Sequence, residues 1–352
     1  MTSLQQIAEV VIGVDTHVHT HSAAVVDART GGVLAEITVT ADADGYQELI
    51  DFAGQHSGQR AWAIEGTGGH GNGLARVLAQ RDEPVIELDR PERAKRRNGA
   101  KSDPLDAVRA AREALSRDNL GTPRSHGDRQ ALSVLLAARQ SAVQGAGDAQ
   151  RQLFSLVIAA PETLRKRFRG HKLPAMTRLA AQLRGSPRWD TETATTAAVL
   201  RALARRALDL AAEAAQHEKD IRAIVAAWRP DLLTQRGVGP ITAAVILCAW
   251  SHPGRVRSEA AFAMLGGVAP IPADSGSGTA PKRFRLNRYG DRQLNRALHT
   301  ITLSRLRYDP TTQAYAKRRT TEGKTSREIK RCLKRYLARD LYRLLENPSQ
   351  PT

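Results

Sequence analysis

The chain has 352 residues, of which 41% are hydrophobic, so it can bury two cores, and whole-chain disorder is excluded. Two cysteines, Cys248 and Cys332, exclude a disulfide framework and a four-cysteine zinc site. The net charge of +17 indicates a polyanionic partner. We find no signal-peptide pattern and no apolar run long enough for a membrane span, so we expect a cytoplasmic protein without membrane contact.

The N-terminal segment, residues 1–125, alternates between strand and helix patterns. Apolar runs predict strands at VVIGVD, HTHSAAVVDA, VLAEITVT, RAWAIE and PVIELD, with a helix before each of the last two. Gly31 and Gly32 between two of these runs predict a hairpin. The order predicts an α/β domain with a mixed sheet.

The middle segment, residues 126–230, is rich in Ala, Leu and Arg and has little strand signal. Two long helical patterns flank a stretch broken by Pro161, Pro174 and Pro187. Alanine at many positions allows close helix packing, so we expect a helical, coiled-coil connector that also dimerises.

The C-terminal segment, residues 231–352, holds most of the charge. From Pro270 to Leu345 it has 19 Lys and Arg against six Asp and Glu, which indicates nucleic-acid binding. GVGPITAAVI resembles a helix-hairpin-helix, in which Gly237 and Gly239 expose N–H groups to phosphate; an ordinary packing turn is the alternative. We predict that the last helix packs through a stripe made of Ile329, Leu333, Tyr336, Leu337 and Leu341.

Arg288, Arg292 and Arg296 recur every four residues beside the apolar stripe of Leu294, Ala297, Leu298 and Ile301. We expect the stripe to be core and the arginines to contact a nucleic-acid backbone. Aromatic residues make up only 4% of the chain, so base stacking is not the expected mode.

Four acids lie at the ends of predicted elements. Asp15 ends the first strand, Glu65 ends RAWAIE, and Asp103 and Asp106 open a helix with a shared face. Acids at adjacent strand ends, joined by two from a helix, can bind two Mg²⁺ ions for phosphodiester chemistry. This pattern favours a ribonuclease-H-like metal site, although each acid alone is also explained as an ordinary strand end or helix start.

A second motif overlaps the first acid. On one strand, His17, His19 and His21 would share a face with Asp15, as in the HxH element of metal-dependent amidohydrolases, and could bind zinc. That fold needs eight strand–helix units, and the pattern ends near residue 90. Solvated or structurally satisfied histidines are therefore the favoured interpretation.

VIGVDTHVHTHSAAVVD, AIEGTGGHG and AKSDPLDA, followed by GVGPITAAVIL, GVAPIPADSGSG and RFRLNRYGDRQLNRALHTITLSRLR, closely resemble one family. It is the DEDD-type transposases of bacterial insertion sequences (insertion sequence 110 type), which are guided by a bridge RNA. One departure is Val18–His19, where relatives usually carry a Lys-acid pair.

The resemblance implies a RuvC-like N-terminal domain, a coiled-coil connector and a mainly α-helical C-terminal transposase domain. It places the metal-binding catalytic acids on Asp15, Glu65, Asp103 and Asp106, and a serine nucleophile on Ser275, with Ser277 as the alternative. It implies a covalent phosphoserine–DNA intermediate, a guide RNA, and a dimer or tetramer in which the acids of one protomer meet the serine of another. Cations near the serine that could bind phosphate are Lys282, Arg283, Arg285 and Arg288.

Three other functions fit parts of the pattern. A RuvC-like nuclease would cleave DNA junctions with water and need no serine. A non-catalytic nucleic-acid-binding protein would not need Asp15. An actin-like or sugar-kinase-like ATPase shares the strand pattern around VIGVD, but the sequence has no companion phosphate loop. We expect a recombinase that cleaves, exchanges and rejoins DNA strands.

Overall fold

The computed structural model describes residues 4–88, 103–118, 120–272, 284–285, 287 and 289–347. The chain divides into two compact units, Met1–His126 and Gly127–Thr352. Within the described ranges, none of the helices combines the length and the apolar character that crossing a membrane requires. The first unit is mixed α/β and the second is mostly helical, as the sequence predicts.

The first unit contains the five predicted strands and the two helices predicted between them, so this part of the secondary-structure prediction is confirmed. A short helix precedes the strands, and the helix predicted around Asp103 and Asp106 follows them. The elements are α1 (Leu4–Ile7), β1 (Val10–Thr16), β2 (Thr20–Asp27), β3 (Val33–Thr40), α2 (Ala43–Gly54), β4 (Arg60–Glu65), α3 (Asn72–Ala79), β5 (Val85–Leu88) and α4 (Asp103–Ser116).

The strands of the first unit form one mixed sheet in the order β3-β2-β1-β4-β5. β1 pairs antiparallel with β2 and parallel with β4, and β4 pairs parallel with β5. The carboxyl ends of β1, β4 and β5 therefore meet at the same edge of the sheet. In open sheets with parallel strands, this is the edge where ligands bind.

Helices cover both faces of the sheet. One face buries Val14, Trp62 and Ile64 together with leucines of α2 and α3. The other face is covered by α4, whose backbone lies directly on β1 at Gly13. A Cβ atom at Gly13 would lie 2.0 Å from the carbonyl oxygen of Ala107 and 2.6 Å from the amide nitrogen of Ala111. Glycine is thus required at this position for α4 to pack on the sheet.

The contacts of α4 also fix its direction. Ala107 packs with Ala24, the partner of Gly13 on β2, whereas Ala111 packs with Val11, two residues earlier on β1. Since later residues of α4 contact earlier residues of β1, the helix runs antiparallel to that strand. Its first turn is therefore placed at the carboxyl end of β1.

The second unit is built from ten helices in its described residues, with one short two-stranded ribbon. Its elements are α5 (Asp128–Ala159), α6 (Glu162–Phe168), α7 (Leu173–Ala181), α8 (Thr191–Trp228), α9 (Pro230–Leu233), α10 (Pro240–Trp250), α11 (Glu259–Leu265), β6 (Ile271–Pro272), β7 (Phe284–Arg285), α12 (Arg292–Tyr308), α13 (Pro310–Thr321) and α14 (Ser326–Glu346).

α5 and α8 form a long antiparallel hairpin, which confirms the two long helices predicted for the middle segment. At one end of the hairpin, Leu132 and Ile221 join the core of the C-terminal helices. At the other end, Leu153 and Leu200 pack with α6 and α7 in a separate cluster. Alanines, including Ala204, are buried along the helix pair, so the two backbones approach closely.

The prediction for the last helix is partly wrong. In α14, Ile329, Leu337 and Leu341 are buried as predicted, but Leu333 is only half-buried and the Tyr336 side chain is 48% exposed. Lys334 is buried instead, and its Nζ donates a hydrogen bond to Oδ1 of Asn295 at 3.1 Å. The stripe is displaced because a lysine stem can line a helix interface while its ammonium finds a polar partner there.

Candidate active site

The sheet places two of the predicted acids side by side. Asp15 is the next-to-last residue of β1, and Glu65 is the last residue of β4. The parallel register pairs Val14 with Ile64, so the two acids follow directly after the last matched pair. Both are partly exposed, at the edge where the carboxyl ends of the parallel strands meet.

Both acids belong to the α4 face of the sheet. Side chains alternate between faces along a strand, so Asp15 shares a face with Val11 and Gly13, and Glu65 shares a face with Ala63. Val11 and Ala63 pack against α4. The register and the alternation together therefore put these carboxylates on the same face of adjacent strands.

The first turn of α4 brings the other two acids to this edge. Asp106 lies on the same helical row as Ala110, which packs on the sheet, and the Asp106 carboxylate accepts a hydrogen bond from Nη1 of Arg109 at 2.6 Å. Asp103 is the first residue of α4, one turn before Ala107. Its side chain lies outside the described residues. By position, the four predicted acids converge on one edge of one domain.

Residue type and position fit a hard divalent cation, because carboxylate oxygens are the protein ligands that Mg²⁺ prefers. In the described part of the chain, no three His, Cys, Asp or Glu side chains already form a group that could hold a metal ion. The described acids are Asp15, Glu65 and Asp106, and the last of them is ion-paired with Arg109.

Sequence reasoning missed several residues around these acids. Thr16 donates its hydroxyl hydrogen to the carbonyl oxygen of Glu65 at 3.0 Å, which ties the ends of β1 and β4 together. Gly66 has a φ of +73°, so the chain turns sharply directly after the acid. Thr67 then donates to Oε1 of Glu87 at 2.6 Å. The sequence shows that Thr16 directly follows Asp15. Its hydrogen bond to Glu65 could not be predicted, because it depends on the pairing of β1 with β4.

The histidine motif does not form the zinc-type arrangement described above. β1 ends at Thr16 and β2 begins at Thr20, so His17 and His19 lie in the connecting turn rather than on a strand with Asp15. His21 lies on β2 and pairs with Thr16, so it faces α2, away from the Asp15 face. The favoured interpretation of solvated or structural histidines agrees with this placement.

His21 is buried beneath α2. Its ring stacks on Tyr46 with 5.6 Å between centroids, and its Nδ1 lies 3.0 Å from the carbonyl oxygen of Thr20. Its Nε2 is buried and has no hydrogen-bond partner within the described ranges. Burial lowers the pKa of His21 below its usual value, and repulsion from His70 and His17 adds to this, although the Thr20 hydrogen bond opposes it.

We expect His21→Phe to stabilise the protein more at pH 5.5 than at pH 7.5. Because the folded-state pKa of His21 is lowered, the unfolded chain binds more protons below about pH 6.5, and stability falls as the pH falls. Phenylalanine keeps the stack on Tyr46 and removes the titration. Thermal melts at the two pH values measure the difference. Val18→Phe, at an exposed turn residue that does not titrate, is the control and should shift the melting temperature equally at both; equal shifts for His21→Phe would contradict the prediction.

The C-terminal residues predicted to bind nucleic acid are only partly described. Arg285, Arg292 and Arg296 are exposed, and the stripe of Leu294, Ala297, Leu298 and Ile301 is buried as predicted. Ser275, Ser277, Lys282, Arg283 and Arg288 lie outside the described residues. The short strands β6 and β7 pair on either side of the segment that contains both serines.

The glycine turn before α10 lies against the helical core. Gly237 has a φ of +81°, and a Cβ there would lie 3.2 Å from the carbonyl oxygen of Ile301 in α12. The Gly239 amide donates to the Thr242 hydroxyl at 3.0 Å, and that hydroxyl donates to the Gly239 carbonyl at 2.9 Å. Packing against α12 therefore favours glycine at position 237, and the backbone N–H of Gly239 is already bonded to the Thr242 hydroxyl. Both observations agree with the packing-turn alternative.

Comparison with known families gives two matches in chain order. A model of DEDD transposases of the IS110 group, described as "Transposase", matches residues 12–159. A model described as "Transposase IS116/IS110/IS902 family" matches residues 230–317. The first range holds the sheet, Asp106 and α5, and the second spans α9 to α12 and most of α13. No curated protein matches the chain.

The two matches define a DNA transposase, an enzyme that binds DNA and moves a DNA element. Together they cover about two-thirds of the chain, and both describe the same family. The chain belongs to the IS110 family of insertion-sequence transposases. Membership of the DEDD type also implies a divalent metal cation, typically Mg²⁺.

Proposed function

We propose that Asp15, Glu65, Asp103 and Asp106 form a ribonuclease-H-like (RuvC-like) catalytic centre that cleaves and rejoins DNA strands. One observation carries the proposal: the two strand acids share a face and a sheet edge at which α4 begins. The strand order β3-β2-β1-β4-β5, with β2 antiparallel and the others parallel to β1 or β4, supports this fold class.

The acids would hold a pair of Mg²⁺ ions through carboxylate oxygens. When bound, such ions stabilise the negative charge on the phosphate and on the oxygens that attack and leave. Arg109 holds Asp106 while the α4 backbone fixes the position of that residue on the sheet. The hydrogen bond from Thr16 to the Glu65 backbone keeps the two strand ends together. The chain thus preorganises negative charge at one edge.

We infer that Ser275, with Ser277 as the alternative, supplies the nucleophile. Its Oγ would form a bond to the phosphorus of a DNA phosphodiester as the bond to one strand end breaks. The serine proton leaves to a base or to water, and the departing strand oxygen takes up a proton. A strand hydroxyl then attacks the phosphoserine and releases the serine. The support is the resemblance of the GVAPIPADSGSG motif and the family match over residues 230–317.

A guide RNA and an oligomer complete the proposal. If base pairing with an RNA selects the sites, the protein needs to read few bases itself. The concentration of exposed cations and the scarcity of aromatic residues fit backbone contacts with duplexes. The acids of one protomer would meet the serine of another, so that the active site forms only in the dimer or tetramer.

A denaturing-gel assay for protein–DNA adducts tests the serine mechanism. With Mg²⁺ and a DNA that carries the element junction and target, we expect wild type to form an adduct. In one of the two variants Ser275→Ala and Ser277→Ala, the amount of adduct should fall by more than about 100-fold, because only the serine hydroxyl can make the covalent bond. Asp15→Asn should lose the adduct too, and Ser326→Ala, at an exposed helix start, is the control.

The alternative is a RuvC-like nuclease that uses water. It predicts cleavage without an adduct, with both serine variants as active as wild type. That outcome would replace the serine mechanism while leaving the acidic site in place. Cleavage that persists in Asp15→Asn would instead remove the acidic site from the mechanism.

A further inference from the structure

A second block of positive charge lies outside the C-terminal segment. Between Glu162 and Asp190 the chain has eight Lys and Arg and no Asp or Glu. The block coincides with α6, α7 and the loops that join α5 to α8. These residues, 162–190, form the closed end of the long helical hairpin and are called the hairpin tip below.

The hairpin tip has its own core. Leu164 and Phe168 of α6 are buried against Leu153 of α5 and Leu200 of α8. Thr177 of α7 is also buried and donates its hydroxyl hydrogen to the Leu173 carbonyl at 2.9 Å. A packed core holds the surface side chains on a fixed frame, so the tip presents its charges as a defined surface rather than as a flexible tail.

All eight cations of the hairpin tip are exposed, and few have a counter-charge. Glu162 is shared by Arg165 and Arg169, and Arg167 stacks on the Trp189 ring at 5.5 Å. Within the described ranges, no ion pair involves the other five. These are Lys166, Lys172, Arg178, Arg184 and Arg188.

The charge is local to the tip. α8 beyond the tip carries five Lys and Arg and five Asp and Glu, so its charges balance. Along α5, Arg139 is ion-paired with Glu218 of α8 at 2.9 Å. Like charges that are gathered on one surface repel one another, and an anion of matching shape relieves that repulsion. The contrast within one hairpin indicates a binding surface at its end.

The hairpin also separates the tip from the C-terminal core. Leu200 belongs to the tip core and Ile221 to the C-terminal core, and both lie on α8. At about 1.5 Å rise per residue, the helix between them spans about 30 Å. This is the length of roughly nine base pairs of duplex. A ligand that contacts both basic regions must be long and regularly charged.

We propose that the hairpin tip binds the phosphodiester backbone of a double-helical nucleic acid. It would form a second contact, about 30 Å along the hairpin from the C-terminal helices that carry the other block of positive charge. Guanidinium and ammonium groups recognise phosphate oxygens without reading sequence. The proposal rests on the transposase family only for its choice of nucleic acid as the polyanion. It requires neither the acidic site nor the serine to be catalytic.

Binding of the full chain to labelled duplexes of about 40 base pairs tests the proposal. The tip variant carries Lys166→Gln, Lys172→Gln, Arg184→Gln and Arg188→Gln. The control variant removes four exposed cations from the balanced part of α8, with Arg205→Gln, Arg206→Gln, Lys219→Gln and Arg222→Gln. Fluorescence anisotropy is measured over a range of salt concentrations with a DNA duplex and with an RNA duplex of the same sequence.

We expect the tip variant to bind at least one of the duplexes about 10 to 100-fold more weakly, with a salt slope lower by about two to four. The control variant should change affinity less than about 3-fold. A loss confined to the RNA or to the DNA duplex supports the proposal and identifies the ligand. Equal losses in the two variants, or none in the tip variant, would overturn it.

Chemical protection gives a second measurement that needs no variant. In wild type, a bound duplex should shield Lys166 and Lys172 from acetylation, while Lys219 should react as fast as in the free protein. Mass spectrometry of the peptides reports each site. Unchanged acetylation of both tip lysines under saturating duplex would contradict the proposal. Asp15→Asn should retain this protection, so a failed acidic site and a failed tip proposal are distinguishable.

Discussion

Asp15→Asn is expected to lower DNA strand cleavage by about 10³-fold or more while leaving duplex binding within about 3-fold of wild type. The amide keeps the shape of the side chain but removes a negative oxygen from the sheet edge where Glu65, Asp103 and Asp106 converge. The lost oxygen would hold the divalent cations that stabilise the transition state, so the cleavage rate falls. The lysines and arginines that bind DNA are unchanged, so duplex binding is retained. Single-turnover cleavage and anisotropy measure the two quantities separately.

Glu36→Gln is the matched control for Asp15→Asn. Glu36 pairs with Ala24 on the same sheet face, but it lies on the edge strand β3 and is exposed. Its loss of one carboxylate should change cleavage less than about 2-fold. Asp15→Cys extends the test, because a thiolate favours softer cations and should regain cleavage with Mn²⁺ or Cd²⁺ relative to Mg²⁺. Full cleavage by Asp15→Asn with Mg²⁺ would exclude this residue from the site.

The sequence is informative about the acids because their positions follow from periodicity. Asp15 and Glu65 end strong apolar runs, and parallel strands bring such ends to one edge. The alternation of faces requires only that the strand be identified. The partners of these acids could not be predicted in the same way. Arg109 and Thr16 are common residue types whose contacts depend on helix packing and strand register.

The histidines show the opposite case. His17, His19 and His21 have the spacing of a strand face, yet a turn of three residues separates β1 from β2 and reverses the chain. The hydrogen bond from the His17 amide to the Thr20 carbonyl, at 3.0 Å, closes that turn. No glycine or proline marks it in THVHT, so the strand pattern continues through it. The zinc interpretation therefore required one strand through all three histidines, whereas the chain forms the two strands that the apolar runs predict, with a turn between them.

The charge of the chain was also only partly predictable. Counting charges finds the C-terminal block directly, but the hairpin tip has its cations on two short helices and two loops. Prolines and glycines in this stretch indicate only breaks between helices. The hairpin tip is recognisable as a basic surface only once α5 and α8 pair. The pairing places α6, α7 and their loops together at one end of the hairpin, while the balanced charges lie along α8.

Gly13→Ala is expected to destabilise the first unit by at least about 3 kcal/mol and to abolish cleavage with it. The added methyl would overlap backbone atoms of Ala107 and Ala111, at 2.0 and 2.6 Å, and backbone cannot rotate away as a side chain can. α4 must shift off β1, which also moves Asp106 and the start of α4 from the sheet edge. Circular dichroism should record the thermal transition of the first unit at a temperature at least about 6 °C lower than in wild type.

Gly54→Ala is the control that separates packing from the general effect of replacing glycine. Gly54 is the exposed last residue of α2, and a Cβ there would meet only Arg60 Nη1, at an ordinary 3.7 Å. Alanine at such a position restricts the unfolded chain and should stabilise slightly, by about 0.4–1 kcal/mol. If Gly13→Ala melts with wild type, then α4 does not need its close contact with β1. In that case this contact would not be what brings Asp103 and Asp106 to the sheet edge.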